Sequence, residues 1–201
     1  MYTMSETAVS STLARIFAAA RQLFDQGGVE AVSMRRIAAK VGITPMAIYK
    51  HYPDKDALLN ALMLDGFAAW EARVEKIRGS EPLAWLRKLD GEFLEFALQE
   101  PRRYEAAFLL KASAARRYPE DFLAGRSPVV SKILARLEEA KAQGLMGEFP
   151  AIDIAITGAA LSQGLVSLYR AGRFTGEAEF REAYGRALDH CRRSFLPEKK
   201  S

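Results

Sequence analysis

Apolar residues recur at intervals of three and four along nearly the whole chain, which is the spacing that places side chains on one face of an α-helix. The first such series joins Leu13, Ile16, Ala20, Leu23 and Phe24. No stretch alternates apolar and polar residues in the way that indicates a ladder of β-strands. The pattern therefore predicts an all-α protein.

Residues that begin or end helices divide the first part of the chain into short segments. The glycine pair at 27–28 is predicted to end the first helix, because glycine tolerates positive φ. Ser33 caps a short second helix, which Gly42 stops, and Thr44 with Pro45 begins a third as N-cap and first helical residue. These signals predict three helices before residue 53.

The rest of the chain is predicted to continue as helices. The third helix runs to about His51, because Pro53 blocks its continuation, and Asp54 caps a long fourth helix that extends to Arg78. Gly79 and the serine after it are interpreted as a linker. Five further helices are predicted over residues 81–99, 101–110, 127–143, 150–170 and 177–195.

The segment from Ser33 to His51 has the form of a helix-turn-helix. Two short helices are joined by residues 41–44, and Ile37 and Ile48 are spaced to pack between them. In that motif the second helix enters the major groove of DNA. Because helix–glycine–helix corners also occur in ordinary helical bundles, the corner alone leaves a purely structural interpretation open.

Charge favours the DNA-binding interpretation. The 201-residue chain has a net charge of +4, and its first 55 residues hold seven basic and four acidic side chains, with no acid between Ala31 and Pro53. Arg35 is placed to reach a guanine edge, and Pro45 with Met46 offers apolar contact, for example to a thymine methyl. The exposed positions expected on or near the third helix are Thr44, Pro45, Met46, Tyr49, Lys50, His51 and Tyr52.

In order and spacing, the residues from Ile16 to Leu58 resemble the DNA-binding domain of the tetracycline-repressor (TetR) family. The run ARIFAAARQLFDQGGVEAVSMRRIAAKVGITPMAIYKHYPDKDALL carries the resemblance, including the spacing of Tyr49, Tyr52 and Lys55. It covers roughly residues 10–60, under a third of the chain. The resemblance implies a three-helix DNA-binding domain over residues 1–55, joined by the long fourth helix to an all-α ligand-binding and dimerisation domain over 56–201.

The same resemblance implies a function and a set of contact residues. The chain is expected to be a homodimeric, sequence-specific transcriptional regulator, most often a repressor, that a small molecule releases from a palindromic operator. Side chains equivalent to those near bases in the family are Arg35, Pro45, Met46 and Tyr49. Those equivalent to residues facing phosphates are Ser33, Thr44, Lys50, His51, Tyr52 and Lys55.

The last two helices are the candidates for the dimer interface. The first of them is rich in small residues, which let helices approach closely, and the second carries an apolar stripe of Phe180, Tyr184, Ala187, Leu188, Cys191 and Phe195. An intramolecular core is the alternative for both. The stretch GAALSQGLVSLYRAGRF also resembles a recurrent subtype of regulator domains, with Gln163 where a histidine often stands.

An apolar or aromatic small-molecule effector is the expected ligand, but the sequence does not identify its pocket. Aromatic residues at helical spacing are more typical of a core than of a binding site. The candidates for lining a pocket are Trp70, Trp85, Phe93, Phe96, Tyr104, Phe108 and Phe122.

Other function classes have little support in the sequence. His51 and His190 lie in separate regions, and Cys191, the one cysteine, points about 100° away from His190 on a helix. We find no metal-ligand spacing, phosphate loop or nucleophile elbow, and so expect no enzyme activity, metal or cofactor. A helical protein-binding adaptor without a DNA function remains the alternative.

The expected location is the cytoplasm, without a membrane partner. The single cysteine is typical of a reducing compartment, and the first ten residues lack the basic and apolar regions of a signal peptide. Residues 151–169 are the nearest approach to a membrane span. Because they include Asp153 and Gln163, we predict a buried helix there instead.

Overall fold

The computed structural model describes residues 4–197, with side chains from residue 11 onward. In this part of the chain every regular secondary-structure element is a helix, which confirms the predicted all-α class. Residues 1–3, which belong to the segment predicted to lack a signal peptide, lie outside the described residues. The helices are α1 (Met4–Ala31), α2 (Met34–Val41), α3 (Pro45–Tyr49), α4 (Lys55–Val74), α5 (Pro82–Gln99), α6 (Pro101–Phe108), α7 (Glu120–Leu123), α8 (Pro128–Ala142), α9 (Ala151–Arg170) and α10 (Glu177–Ser194).

The predicted helix caps of the N-terminal region form as hydrogen bonds. The side-chain oxygens of Ser33, Thr44 and Asp54 each accept from the backbone N–H three residues further on, at 3.2, 3.3 and 2.7 Å. Gly42 ends α2 in the left-handed conformation, with φ of 75°. Gly28 has φ of 65° and lies at a kink within α1, where the sequence predicted a helix end. The three predicted caps and the stop at Gly42 are confirmed, whereas α1 continues beyond the glycine pair to Ala31.

The third helix is shorter than predicted. It ends at Tyr49, and the backbone N–H groups of His51 and Tyr52 both donate to the carbonyl of Ile48, at 2.8 and 2.9 Å. Two donors on one acceptor close a tight turn, which leaves His51 after the helix rather than within it. The prediction that α3 runs to His51 is therefore wrong by about two residues.

The fourth helix and a short helix near residue 120 also differ from the sequence prediction. The fourth helix ends at Val74 rather than Arg78, because the N–H of Lys76 bonds three residues back, to Arg73, and tightens the last turn. The four-residue α7 was not predicted, since one helical turn is too short to show periodicity. Asp121 holds it, accepting a hydrogen bond from a backbone N–H at 2.6 Å.

The helices divide into two compact units. The first contains the chain up to Trp70 together with Glu100–Ala115, and the second contains Glu71–Gln99 and the chain from Arg116 onward. The first unit is therefore built from two separate stretches of sequence. The predicted boundary between residues 55 and 56 separates a DNA-binding domain from a ligand-binding and dimerisation domain. It stays a prediction.

The core of the first unit joins α1 to α4 and includes part of α6. Ile37 and Ile48 are both fully buried in it, which confirms that they pack between α2 and α3. Ala106 of α6 belongs to the same core. At Gly66 of α4 the backbone of α6 comes so close that a Cβ atom would lie 2.8 Å from the amide nitrogen of Ala107. Only glycine allows these two helices to approach in this way.

The core of the second unit is formed by α5, α8, α9 and α10. Two ion pairs join α5 to α10, one between Arg181 and Glu95 and the other between Arg192 and Asp90. The Tyr184 hydroxyl also donates to the backbone carbonyl of Asp90, at 3.1 Å. Apolar packing and polar contacts thus fix the same face of α10 against α5.

The apolar stripe predicted on the last helix is largely core. Phe180, Tyr184 and Leu188 are each at most 3% exposed, and the ring of Phe180 stacks on that of Tyr169 with centroids 4.3 Å apart. These side chains pack within their own subunit, so the intramolecular alternative holds for them. Cys191 and Phe195 are partly buried.

The prediction of a buried helix at residues 151–169 is wrong for most of that helix. Within the described chain, α9 alone has the length and apolar character of a membrane span, but only 22% of its apolar stretch is buried. Its buried residues are Ala151, Ile154, Ser162 and Val166. Composition predicted burial incorrectly because small and apolar side chains line both the packed face and the exposed face of the helix.

The aromatic residues considered for a ligand pocket are mostly core residues. Five of the seven are less than 9% exposed, and two, Phe108 and Phe122, are partly buried. In the first unit the ring of Phe108 lies edge-on to that of Phe67, with centroids 5.6 Å apart. The buried five are Trp70, Trp85, Phe93, Phe96 and Tyr104.

Candidate nucleic-acid interface

The recognition corner is formed by α2, the turn at residues 42–44, and α3. Its buried face is apolar, which fixes the rotation of both helices and so decides which side chains face outward. The Arg15 guanidinium on α1 donates to the carbonyl of Val41 at 2.7 Å and ties the last residue of α2 to α1. The corner is thus held both by its core and by a hydrogen bond from another helix.

Most of the predicted contact residues lie on the outer surface of this corner. Met46 is 72% exposed and Tyr49 46% exposed. Ser33, His51 and Tyr52 are partly buried, so their outward atoms alone are open to a partner. The exposed members are Arg35, Thr44, Pro45, Met46, Tyr49, Lys50 and Lys55. The fold brings the predicted set to one corner of the first unit.

Two of the predicted phosphate contacts also have structural roles. Tyr52 packs against the core of the first unit, and burial raises the pKa of its hydroxyl. The Lys55 ammonium donates to the carbonyl of Val29 at 3.2 Å, joining the start of α4 to the end of α1. These contacts hold the segment between α3 and α4 in place. Phosphate contacts by either residue stay predictions.

Sequence reasoning missed two basic residues on the same surface. Arg36 and Lys40 are exposed on α2, one helical turn apart. Both lie in the acid-free stretch that drew attention to the corner, so the signal was present, but only Arg35 was selected from it. They extend the positive charge along α2.

The described residues give no support for a metal or thiol site. Among them no three His, Cys, Asp or Glu side chains come together in a way that could hold a metal ion. Burial, and secondarily the charge of Asp90, raises the pKa of the Cys191 thiol. A raised pKa disfavours the thiolate, which is the nucleophilic form.

Two family models match separate parts of this chain. Residues 16–62 match the model of bacterial regulatory proteins of the tetR family. Residues 86–191, more than half of the chain, match the model described as the tetracyclin repressor-like C-terminal domain. The chain belongs to the TetR family. Its first unit accordingly contains the family's helix-turn-helix, and the resemblance of residues 16–58 to the TetR DNA-binding domain is confirmed. The subtype resemblance around Gln163 stays a prediction.

Curated relatives match part of this chain. The HTH-type transcriptional repressor DrrR1 of Streptomyces coeruleorubidus is 38% identical over a stretch that covers 38% of this chain and 32% of the relative. The regulator UidR of Escherichia coli K12 is 36% identical over 29% of this chain and 30% of the relative. The chain thus matches about a third of the length of these relatives.

Solved structures show the TetR fold over nearly the full length. A protein of unknown function from Rhodococcus sp. RHA1 is 27% identical, with a TM-score of 0.72 over 92% of this chain and 95% of that one. The TetR family regulator PfmR from Thermus thermophilus is 20% identical, with a TM-score of 0.61 over 92% and 100%. At that identity PfmR shows the fold alone.

Proposed function

We propose that this protein is a cytoplasmic, homodimeric transcriptional repressor that binds a palindromic operator and leaves it when a small apolar or aromatic effector binds. The observation that carries the proposal is the capped α2–turn–α3 corner, whose outward face is basic and free of acidic side chains. Such a face suits the negatively charged major groove.

In the proposed complex the exposed side chains divide by chemistry. Arg35, Pro45, Met46 and Tyr49 face the base edges, whereas Lys50 and the polar groups around the corner bind phosphates. Phosphate contacts supply affinity and register, and contacts to base edges supply sequence preference. Five further residues bind phosphates in this proposal. Ser33, His51 and Tyr52 are partly buried and do so through their outward atoms, whereas Thr44 and Lys55 are exposed.

The proposed dimer forms mainly through the exposed face of α9. Ile156, Ala160, Gly164 and Leu168 recur at intervals of four along that face, and Ile156 and Leu168 are 36% and 49% exposed. Small residues in the middle of such a stripe let two helices approach closely, and a two-fold axis would bring the same stripe from each subunit together. The exposed residues of α10 beside it are mainly polar and would form the rim.

The effector acts in this proposal by favouring one of two dimer conformations. A dimer that reads two half-sites must hold its recognition helices one turn of DNA apart, about 34–36 Å. A ligand changes DNA affinity only as far as it binds the two conformations differently. In the TetR family the C-terminal domain binds the ligand. In this proposal the C-terminal domain of this chain does the same.

The experiment that tests the proposal is selection of genomic fragments by the purified full-length protein at physiological salt. We expect enrichment of one short palindrome. The functions of the genes beside it should indicate the chemical class of the effector. If no sequence is enriched, the selection is repeated with protein that has been unfolded, stripped of small molecules and refolded. Failure of this second selection would favour the protein-binding adaptor over the repressor.

Replacing Lys50 by alanine tests the phosphate contacts. We expect the slope of log K against log salt to fall in magnitude by about one unit per subunit, because fewer counterions are released when one phosphate is no longer neutralised. The sequence preference should be unchanged. Lys76→Ala, which removes an exposed lysine from the second unit, serves as the matched control and should leave the slope as it is.

Replacing Ala160 by glutamate tests the dimer interface. The two-fold axis would bring two buried carboxylates close together, and we expect the dimer dissociation constant to rise at least about tenfold, equivalent to about 1.4 kcal/mol. Sedimentation equilibrium measures the change. Ala68→Glu, at an exposed alanine of α4, is the control. Equal dissociation constants for the two variants would argue against α9 as the interface.

A further inference from the structure

The first outward side chains of α3 have little hydrogen-bonding capacity. The Thr44 side-chain oxygen already accepts the Ala47 N–H at 3.3 Å. Pro45 and Met46 follow, and neither side chain has a strong hydrogen-bond donor or acceptor. The first two side chains of α3 are therefore apolar, and Tyr49 is the next outward side chain that carries a donor.

Met46 has no role in the core that would explain an apolar residue there. It is 72% exposed, whereas Ile48, two residues later, is fully buried. Met46 lies one turn before Tyr49 and next to Pro45, so helix geometry places two apolar side chains and the Tyr49 ring at neighbouring positions of a five-residue helix. Single exposed apolar residues are common. Several together, on the surface that meets a partner, indicate that the partner also presents an apolar group.

The major groove offers one apolar group on its base edges, the C5-methyl of thymine. We infer that Met46 is a specificity-determining residue that reads C5-methyl groups of the operator, and that thymine is the source of the methyl. 5-Methylcytosine carries its methyl at the same ring position, so the experiment must separate the two bases. The inference rests on the proposed operator binding and adds to it the kind of base feature that α3 recognises.

The size of the effect follows from the methyl group alone. Burial of one such carbon contributes about 0.8 kcal/mol, which is about a fourfold change in affinity. Because a two-fold-symmetric dimer would make the contact in each half-site, removing both methyls should weaken binding about fifteen-fold. This difference is well within the range of a fluorescence-anisotropy titration.

The test uses the full chain and the duplex obtained by selection from random DNA. Each symmetric pair of thymines is replaced in turn by deoxyuridine, which removes both methyls and leaves base pairing intact. We expect a loss of about fifteen-fold at one symmetric pair of positions. At that pair, a duplex with 5-methylcytosine should bind several-fold more tightly than one with cytosine if the methyl alone is read, and equally if thymine's other groups are needed as well.

Protein variants assign the methyl effect to Met46. With Met46→Ala, the deoxyuridine duplex should bind as tightly as the thymine duplex, whereas Met46→Leu, which keeps an apolar side chain, should retain the discrimination. Leu64→Ala removes another exposed apolar side chain, 53% exposed on α4, and should also retain it. Full methyl discrimination by Met46→Ala, or none by the wild type, overturns the inference. Failure to select any sequence would instead overturn the proposed function, and the inference with it.

Discussion

Replacing Gly66 by valine is expected to lower the free energy of unfolding by about 3 kcal/mol. A Cβ at this position would lie 2.8 Å from both the amide nitrogen of Ala107 and the carbonyl oxygen of Arg103. Both atoms belong to the backbone of α6, which cannot move aside as a flexible side chain could. The helices α4 and α6 would have to separate, and the core that they share would pack less tightly.

Gly91→Val is the matched control for this substitution. Gly91 also lies inside a helix, α5, but no atom approaches within 4 Å of the position its Cβ would take. Valine is a slightly better helix former than glycine, so stability should change by no more than about 0.5 kcal/mol. Urea denaturation monitored by circular dichroism measures both variants. Equal stabilities would show that α4 and α6 do not approach closely in solution.

Stability is expected to fall by up to about 3 kcal/mol as the pH rises from 4 to 7, through the titration of Asp90. Burial raises the pKa of this carboxyl to about 6, against the opposing effect of Arg192. Because the folded protein then binds the proton more tightly than the unfolded chain does, protonation stabilises the fold. The contribution is present near pH 4 and is lost as the pH passes through 6.

Asp90→Asn should remove this part of the pH dependence, so the difference between wild type and variant should slope between pH 4 and 6.5. Asp189 provides a contrast, because a hydrogen bond from Arg192 lowers the pKa of its carboxyl. Stability owed to Asp189 is therefore lost as the pH falls, and Asp189→Asn should give a difference of opposite sign. Chemical denaturation at several pH values measures both. A difference between wild type and Asp90→Asn that does not change with pH would contradict the raised pKa of the Asp90 carboxyl.

Local signals made the recognition corner predictable from sequence. Ser33, Gly42 and Thr44 act on backbone groups within three or four residues, so their effect depends little on the rest of the fold. The outward direction of Met46 and Tyr49 followed from the same helix and its buried face. That is why the interface residues could be named before any coordinates were known, although their contacts with DNA stay predictions.

Contacts between distant parts of the chain could not be predicted in this way. The bond from Arg15 to Val41 joins residues 26 apart, as does the bond from Lys55 to Val29. Nothing near Gly66 indicates that α6 will lie against it. The prediction of a buried helix at residues 151–169 was wrong for a related reason, because composition does not show which faces of an apolar helix pack against the rest of its own chain.

The close packing of α6 on α4 has a consequence for the design of hybrid regulators. The unit that holds the recognition corner takes its core from the chain up to Trp70 and also from Glu100–Ala115. A graft that moves this DNA preference onto a different sensor must therefore transplant both stretches. A fusion joined after α4 alone would lack α6, the helix that packs against Gly66, and would expose the surface that α6 covers.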